Sequence, residues 1–125
     1  MSDTPRISDA EWLVMREVWA GSSVTANDVI QALSGSQTWK PKTVKTMLNR
    51  LVKKKALGFE RRGREYQYFP LVSEKTCIRA ASRSFLRRVF RGAPQPMLAA
   101  FLREQELSSE EISELRRILD EKGKD

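Results

Sequence analysis

Along residues 41–53 the side chains able to do chemistry are hydrogen-bond donors: Lys42, Thr43, Lys45, Thr46, Asn49, Arg50 and Lys53. Ammonium, guanidinium, hydroxyl and amide groups address phosphate oxygens and base edges. A few residues on, Arg61-Arg62-Gly63-Arg64 sets three guanidiniums around a glycine. Between positions 40 and 64 ten lysines and arginines are opposed only by Glu60, while the whole chain carries +7. That segment alone is +9, so the remainder is slightly acidic. Charge concentrated in this way suits a nucleic acid, the plainer alternative being a solvated, lysine-rich helix.

Other chemistries lack their parts. The 125 residues include no histidine and one cysteine, Cys77. This excludes an internal disulfide, a cysteine and histidine zinc site within one chain, and histidine-based acid/base or triad catalysis. Glu104, Glu106, Glu110, Glu111 and Glu114 fall on helix faces without a pocket-like context. We expect no catalytic site, no metal and no cofactor. Cys77, one residue before Ile78, reads as a semi-buried small residue, with a redox-sensing thiol as the alternative. Residues 1–12 carry Asp3, Asp9 and Glu11 and no apolar run, and no stretch nears the roughly 20 apolar residues of a membrane span. A cytoplasmic protein is expected.

The donors need elements to position them. Ser8-Asp9-Ala10-Glu11 forms a capping box and predicts a helix over 9–20, with Trp12, Met15, Val18 and Trp19 on one face. Gly21 then supplies a left-handed residue at the helix end. Thr25 caps a short second helix bearing Val29, Ile30 and Leu33, stopped near Gly35. Pro41 opens a third helix, whose apolar stripe of Val44, Met47, Leu48, Leu51 and Val52 runs up to Lys54 opposite the donors. After Gly58 the pattern alternates: a strand over 59–62, a turn at Gly63, and a second strand over 64–69 ended by Pro70. Tyr66 and Tyr68 share a face of this hairpin, where packing on the wing is expected and a contact with DNA is the alternative, and Phe59 and Phe69 are expected to pack inward.

Three helices and a hairpin within residues 1–72 predict a mainly α, winged helix-turn-helix domain. Its third helix enters the DNA major groove, and its wing follows the backbone or reaches the adjacent minor groove. Lys42, Thr43 and Thr46, near the start of that helix, are the candidates for base readout. Arg50, Lys53, Arg61, Arg62 and Arg64 are the candidates for phosphate contact, and Lys45 joins the same binding set.

Residues 73–125 predict three amphipathic helices. The first opens at Ser73 and carries Ile78, Ala81, Phe85, Leu86, Val89 and Phe90 up to Gly92, beside an arginine stripe of Arg79, Arg83, Arg87 and Arg91. Ala93-Pro94-Gln95-Pro96 reads as a break, followed by a short helix with Met97, Leu98, Phe101 and Leu102 that ends before Leu107. Ser108-Ser109-Glu110-Glu111 caps the last helix, with Ile112, Leu115, Ile118 and Leu119. Three thin helices cannot enclose so much apolar surface. A second copy covers it economically, making Phe85, Val89, Phe101, Ile112, Leu115, Ile118 and Leu119 the expected dimer contacts; packing onto the first domain is the alternative.

Ile7-Ser8-Asp9-Ala10-Glu11-Trp12 with Trp19, then Thr38-Trp39-Lys40-Pro41-Lys42-Thr43-Val44, Thr46-Met47-Leu48, Arg50-Leu51 and Lys53-Lys54, resemble the BlaI/MecI penicillinase-repressor family. Ser84-Phe85-Leu86, Phe101-Leu102 and Leu107-Ser108 extend the resemblance through the second half. The resemblance implies a homodimeric repressor on a short palindromic operator, controlling antibiotic-resistance or related genes. It also implies relief through a membrane sensor-protease pathway, with cleavage just before Phe101; there this chain has Ala100 where well-known members have Asn. A related branch senses copper through a cysteine-rich tail, and the 119–125 tail here has no cysteine. The expected function is thus a transcriptional repressor binding double-stranded operator DNA as a homodimer. The alternatives are a sequence-blind architectural DNA binder and a protein-interaction module with a basic face.

Overall fold

Each of the first two helices is started by a reciprocal cap. In the computed structural model, which describes residues 4–124, the Ser8 hydroxyl accepts from the Glu11 backbone N–H at 3.2 Å and the Glu11 carboxylate accepts from the Ser8 N–H at 2.9 Å. This satisfies two otherwise orphaned donors and starts α1 (Asp9–Gly21). Thr25 and Asp28 do the same, at 3.1 and 3.0 Å, for α2 (Ala26–Leu33). Residues 1–3 and 125, the outer ends of the two expected segments, and Asp3 with them, lie outside the described residues.

Pro41 begins α3 (Pro41–Lys53) as expected, with Lys54 as its cap. β1 (Leu57–Arg62) and β2 (Glu65–Pro70) pair antiparallel, Leu57 opposite Pro70 and Arg62 opposite Glu65, which leaves Gly63 and Arg64 as a two-residue turn. Gly63 has φ +64°, the left-handed conformation such a turn demands. Val14, Met15 and Val18 of α1, Val29 and Leu33 of α2, and Val44, Met47, Leu48 and Leu51 of α3 bury together with Ala56, Leu57 and Tyr68. Truncating a fully buried leucine such as Leu48 to alanine costs about 2–5 kcal/mol in a core of this kind.

Two expectations around the hairpin are corrected. The left-handed residue after α1 is Ser22, at φ +67°, and Gly21 is still helical. Gly21 lacks a side chain for another reason: a Cβ there would stand 2.4 Å from Val24 Cγ1. The tight Ser22 turn brings Val24 onto the hairpin, where it exchanges backbone hydrogen bonds with Tyr68 at 2.9 and 2.7 Å. Phe59, expected inside, is 49% exposed. The register sets Phe59 opposite Tyr68, so Phe59 shares a face with Tyr66 and Tyr68 while Phe69 lies on the other. On the shared face Tyr68 reaches the core, and Phe59 is left edge-on to Tyr66 with ring centroids 5.3 Å apart.

Three further helices follow: α4 (Glu74–Phe90), α5 (Pro94–Glu104) and α6 (Ser109–Gly123). The break expected at 93–96 between two helices is present but lies earlier, at 91–93, so Pro94 and Pro96 fall inside the next helix. They occupy the first turn of α5, where a missing N–H costs nothing. By its contacts the chain divides into two units within α4, between Ser82 and Arg83. In the first unit, the Trp19 indole N–H donates to the Val72 carbonyl at 2.9 Å, and Cys77 is only 2% exposed. In the second, Phe85, Phe90 and Phe101 form a three-ring cluster with centroids 5.9–6.4 Å apart. No described residue beyond Ser82 is buried.

Glu11 is the buried charge of the first unit, at 2% exposure. Its carboxylate meets Lys54 Nζ at 2.5 Å, and the same ammonium donates to the Arg6 carbonyl at 2.9 Å. Burial pushes the Glu11 pKa up, but the Lys54 ammonium and the Ser8 donors outweigh it and hold the carboxyl below its ordinary value of 4.5. The carboxylate thus contributes stability that is present above pH 4.5 and is lost as the pH falls through the folded-state value. Lys54→Met removes the charged partner and leaves the Ser8 hydrogen bonds alone to oppose burial. Thermal unfolding should show a deficit of about 2 kcal/mol at pH 7, tempered by the partial exposure of Lys54, and the deficit should shrink on acidification as Glu11 takes up its proton. A pH-independent difference from the parent would contradict this account.

Candidate nucleic-acid interface

Along α3, burial of Val44, Met47, Leu48 and Leu51 turns the opposite face outward. Lys42, Lys45, Thr46, Asn49, Arg50 and Lys53 are all exposed on it, and Thr43 is half-buried at its edge. The structure therefore brings the α3 set together as the periodicity implies. Thr46 has one constraint of its own: its hydroxyl donates to the Lys42 carbonyl at 2.9 Å. That bond engages the hydroxyl proton and leaves the oxygen lone pairs of the exposed side chain as acceptors.

The wing arginines, equivalent by sequence, occupy three different situations. Arg61 Nε donates to the Gly63 carbonyl at 3.0 Å, bracing the turn. Arg62 pairs with Glu60, its neighbour two residues back, at 2.8 Å for the closest contact. Both members of that pair are well exposed, so water screens it and the guanidinium remains available. Arg64 sits in the turn and faces a cleft. This cleft, of about 590 Å³, lies between α3, the start of α2 and the wing; Lys45, Asn49, Arg64, Glu65, Tyr66 and Asn27 contribute its polar lining. Ile30, Pro41 and Tyr68 are among the remaining lining residues. The wing's position over the cleft is fixed by the Val24–Tyr68 hydrogen bonds and by Ser23 Oγ donating to Gln67 Oε1 at 3.1 Å.

Sequence reasoning set Tyr66 apart as a packing residue and left Asn27 unnoticed. The place of Tyr66 follows from the hairpin register, and that of Asn27 from the packing of the start of α2 beside the wing, neither of which residue type carries. Lys54, by contrast, contributes to the basic run in the sequence yet is committed to Glu11.

The residues expected at a subunit contact form a second group. Phe85 and Phe101 stack at 6.0 Å, with Val89 exposed on the same helix as Phe85. On α6 Ile112, Ile118 and Leu119 are exposed and Leu115 is half-buried. Ala100 and Phe101, the expected cleavage position, lie inside the helical span of α5. Glu114, Arg117 and Glu121 form an ion-paired ladder along α6. Among the described residues no helix is long and apolar enough to cross a membrane.

The sequence pattern of the penicillinase repressor family matches residues 7–121. A penicillinase repressor of Bacillus licheniformis is 46% identical over 97% of this chain and 94% of its own. The methicillin resistance regulatory protein MecI of Mammaliicoccus sciuri is 34% identical over 95% and 97%. Among solved structures, monomeric Bacillus licheniformis BlaI in complex with the blaP half-operator is 49% identical, covers 57% of this chain and 87% of that one, and superposes with a TM-score of 0.51.

Cys77 supplies a check on the local packing of α4. Burial pushes its thiol pKa up, which keeps it protonated at neutral pH and poorly nucleophilic. In the native protein a maleimide should label it at least about tenfold more slowly than in denaturant. Equal rates, followed by mass spectrometry, would place Cys77 at the surface and reopen the redox reading.

Proposed function

The chain belongs to the penicillinase repressor family, and we propose that it is a transcriptional repressor that binds a palindromic DNA operator as a homodimer. The observation that carries this reading is the alignment of two independent facts on one surface. Lys45 and Asn49 of the exposed donor face of α3 and Arg64 of the wing line a single cleft, and a relative sharing about half its residues with this segment was solved on an operator half-site. In this reading α3 lies in the major groove, with Lys42, Thr43 and Thr46 facing base edges. Arg50, Lys53, Arg61, Arg62 and Arg64, together with Lys45, neutralise phosphates.

The paired state rests on α4–α6. Eight large apolar side chains there, Ile78, Val89, Leu98, Phe101, Leu102, Ile112, Ile118 and Leu119, are exposed, and no residue of α5 or α6 is buried. That many exposed apolar side chains on so short a stretch of chain call for a cover. The chain carries complementary charge for a second copy: α4 holds Arg79, Arg83, Arg87 and Arg88, and α6 holds Glu110, Glu111, Glu114 and Glu121. Two paired subunits place two α3 helices on successive half-sites about one helical turn apart. Target genes of the β-lactam-resistance type accord with the names of the relatives, and the work is done in the cytoplasm. Release by a cut at Ala100–Phe101 fits the same reading, because the cut detaches Phe101 from the Phe85 and Phe90 rings and removes α6 with its apolar stripe.

Selection of duplexes from a random library at near-physiological salt should enrich a two-fold palindrome; salt-sensitive binding without enrichment would leave a sequence-blind binder. On the selected duplex Thr46→Ala should cost about 1–3 kcal/mol and relax preference at one base pair per half-site. Thr46→Val, which keeps a methyl group and removes the hydroxyl, should keep most of that preference if the contact is to a thymine methyl. Leu115→Glu should give monomers by sedimentation and weaken full-operator binding far more than half-site binding.

A further inference from the structure

We infer that Lys54 and Glu11 are positioning residues for operator recognition: by pinning the corner between α3 and the wing, they set how these two elements stand to each other, without touching DNA themselves. This inference rests on the repressor reading and goes beyond the part the pair plays in stability. Only residues 54–56 separate the end of α3 from the start of β1, so the setting of the wing against the helix is decided in three residues. The corner is tight. Lys55 stands at φ +66°, a left-handed conformation that a lysine keeps only where its surroundings hold it. The Lys55 N–H donates to the Val52 carbonyl at 3.0 Å and the Ala56 N–H to the Leu51 carbonyl at 2.9 Å, which folds the chain back over the last turn of α3.

The corner is fastened on both sides. On the wing side Ala56 and Leu57 are buried, and the Ala56 carbonyl accepts from the Leu71 N–H at 2.9 Å, so the end of β2 is tied to the start of β1 there. On the helix side the fastening is Lys54. Of the three consecutive lysines 53–55 it is the one that reaches back to α1, where its ammonium meets the Glu11 carboxylate at 2.5 Å and the Arg6 carbonyl at 2.9 Å, partners 43 and 48 residues away in sequence. Glu11 offers a fixed anchor, because it is buried and its carboxylate also accepts from the Ser8 N–H in the cap that starts α1. Base readout needs side chains held within about half an ångström of their targets, whereas neutralising phosphates is a sequence-independent, longer-range attraction. A loosened corner therefore costs discrimination between sequences before it costs attraction to DNA.

The test measures the affinity of the full-length protein for the duplex enriched by selection and for a scrambled duplex of equal length. Lys54→Arg, Lys54→Met and the double variant Glu11→Gln/Lys54→Met are compared with wild type. The double variant leaves no buried charge unpaired, so its melting should recover most of what Lys54→Met loses. The ratio of selected to scrambled affinity should fall about tenfold in Lys54→Met and stay down in the double variant. Lys54→Arg, which keeps a charged donor for both acceptors, should hold the ratio within about twofold of wild type. The slope of log affinity against log salt should not change in any of the three, because Lys54 faces a carboxylate and not a phosphate. Amide exchange at Lys55 and Ala56 should quicken about tenfold in the double variant while that at Leu48 keeps its wild-type rate, which separates a loosened corner from a loosened core. Discrimination that recovers together with melting in the double variant would make the pair structural only and overturn the inference. A slope lowered by about one, with equal losses on both duplexes, would make Lys54 a phosphate contact and overturn it as well. The repressor reading stands or falls separately, on whether wild type binds any duplex at low salt.

Discussion

The arrangement depends on the requirement that the 13 residues of α3 bury one face while presenting the other to a ligand. Val44, Met47, Leu48 and Leu51 recur at the spacing of one helical face, and α1, α2 and the base of the hairpin close over them. Once that stripe is buried, the direction of the donor face follows from the 3.6-residue period alone. Every other element of the first unit is then constrained by α3. The capped helices α1 and α2 supply its packing surface, Lys54 at its end neutralises the buried Glu11, and the hairpin that follows must start within reach of Leu57 and Ala56.

The basic run is not spent uniformly. Lys54 is drawn inward, Arg61 braces a turn, Arg62 shares an exposed carboxylate and Arg64 lines a cleft. A charge count treats these as equivalent, but their desolvation and pairing differ, and with them their capacity to exchange bound counterions for phosphates. The buried pair of Glu11 and Lys54 also ties residues before α1 to the end of α3 through the Arg6 carbonyl, so the charge that looks available for DNA partly secures the fold.

The second unit obeys a different physical logic. Its last helix, α6, is capped by Ser108 and carries its own ladder of ion pairs, yet three clustered phenylalanines are all the aromatic packing the unit has. Exposed pairs of that sort contribute little to stability, so local helix formation there outruns burial. Such a segment is suited to gain its stability from association, which couples its order to whatever it binds.

The capping boxes at Ser8 and Ser108, the Thr25 cap, the stripe of α3 and the existence of the hairpin were legible in the residues, because caps and periodicity act over a few positions and need no distant partner. The donor set of α3 was legible for the same reason. Tertiary structure decided the rest. Gly21 is explained by Val24 approaching from three residues on, and not by its own φ, and Phe59 is exposed because the register gave the inward position to Tyr68. The division of labour among the arginines, the commitment of Lys54 and the cleft lined by Tyr66 and Asn27 all depend on contacts between residues tens of positions apart. Local propensity carries no information on which of several equivalent side chains will meet a partner folded back from elsewhere in the chain.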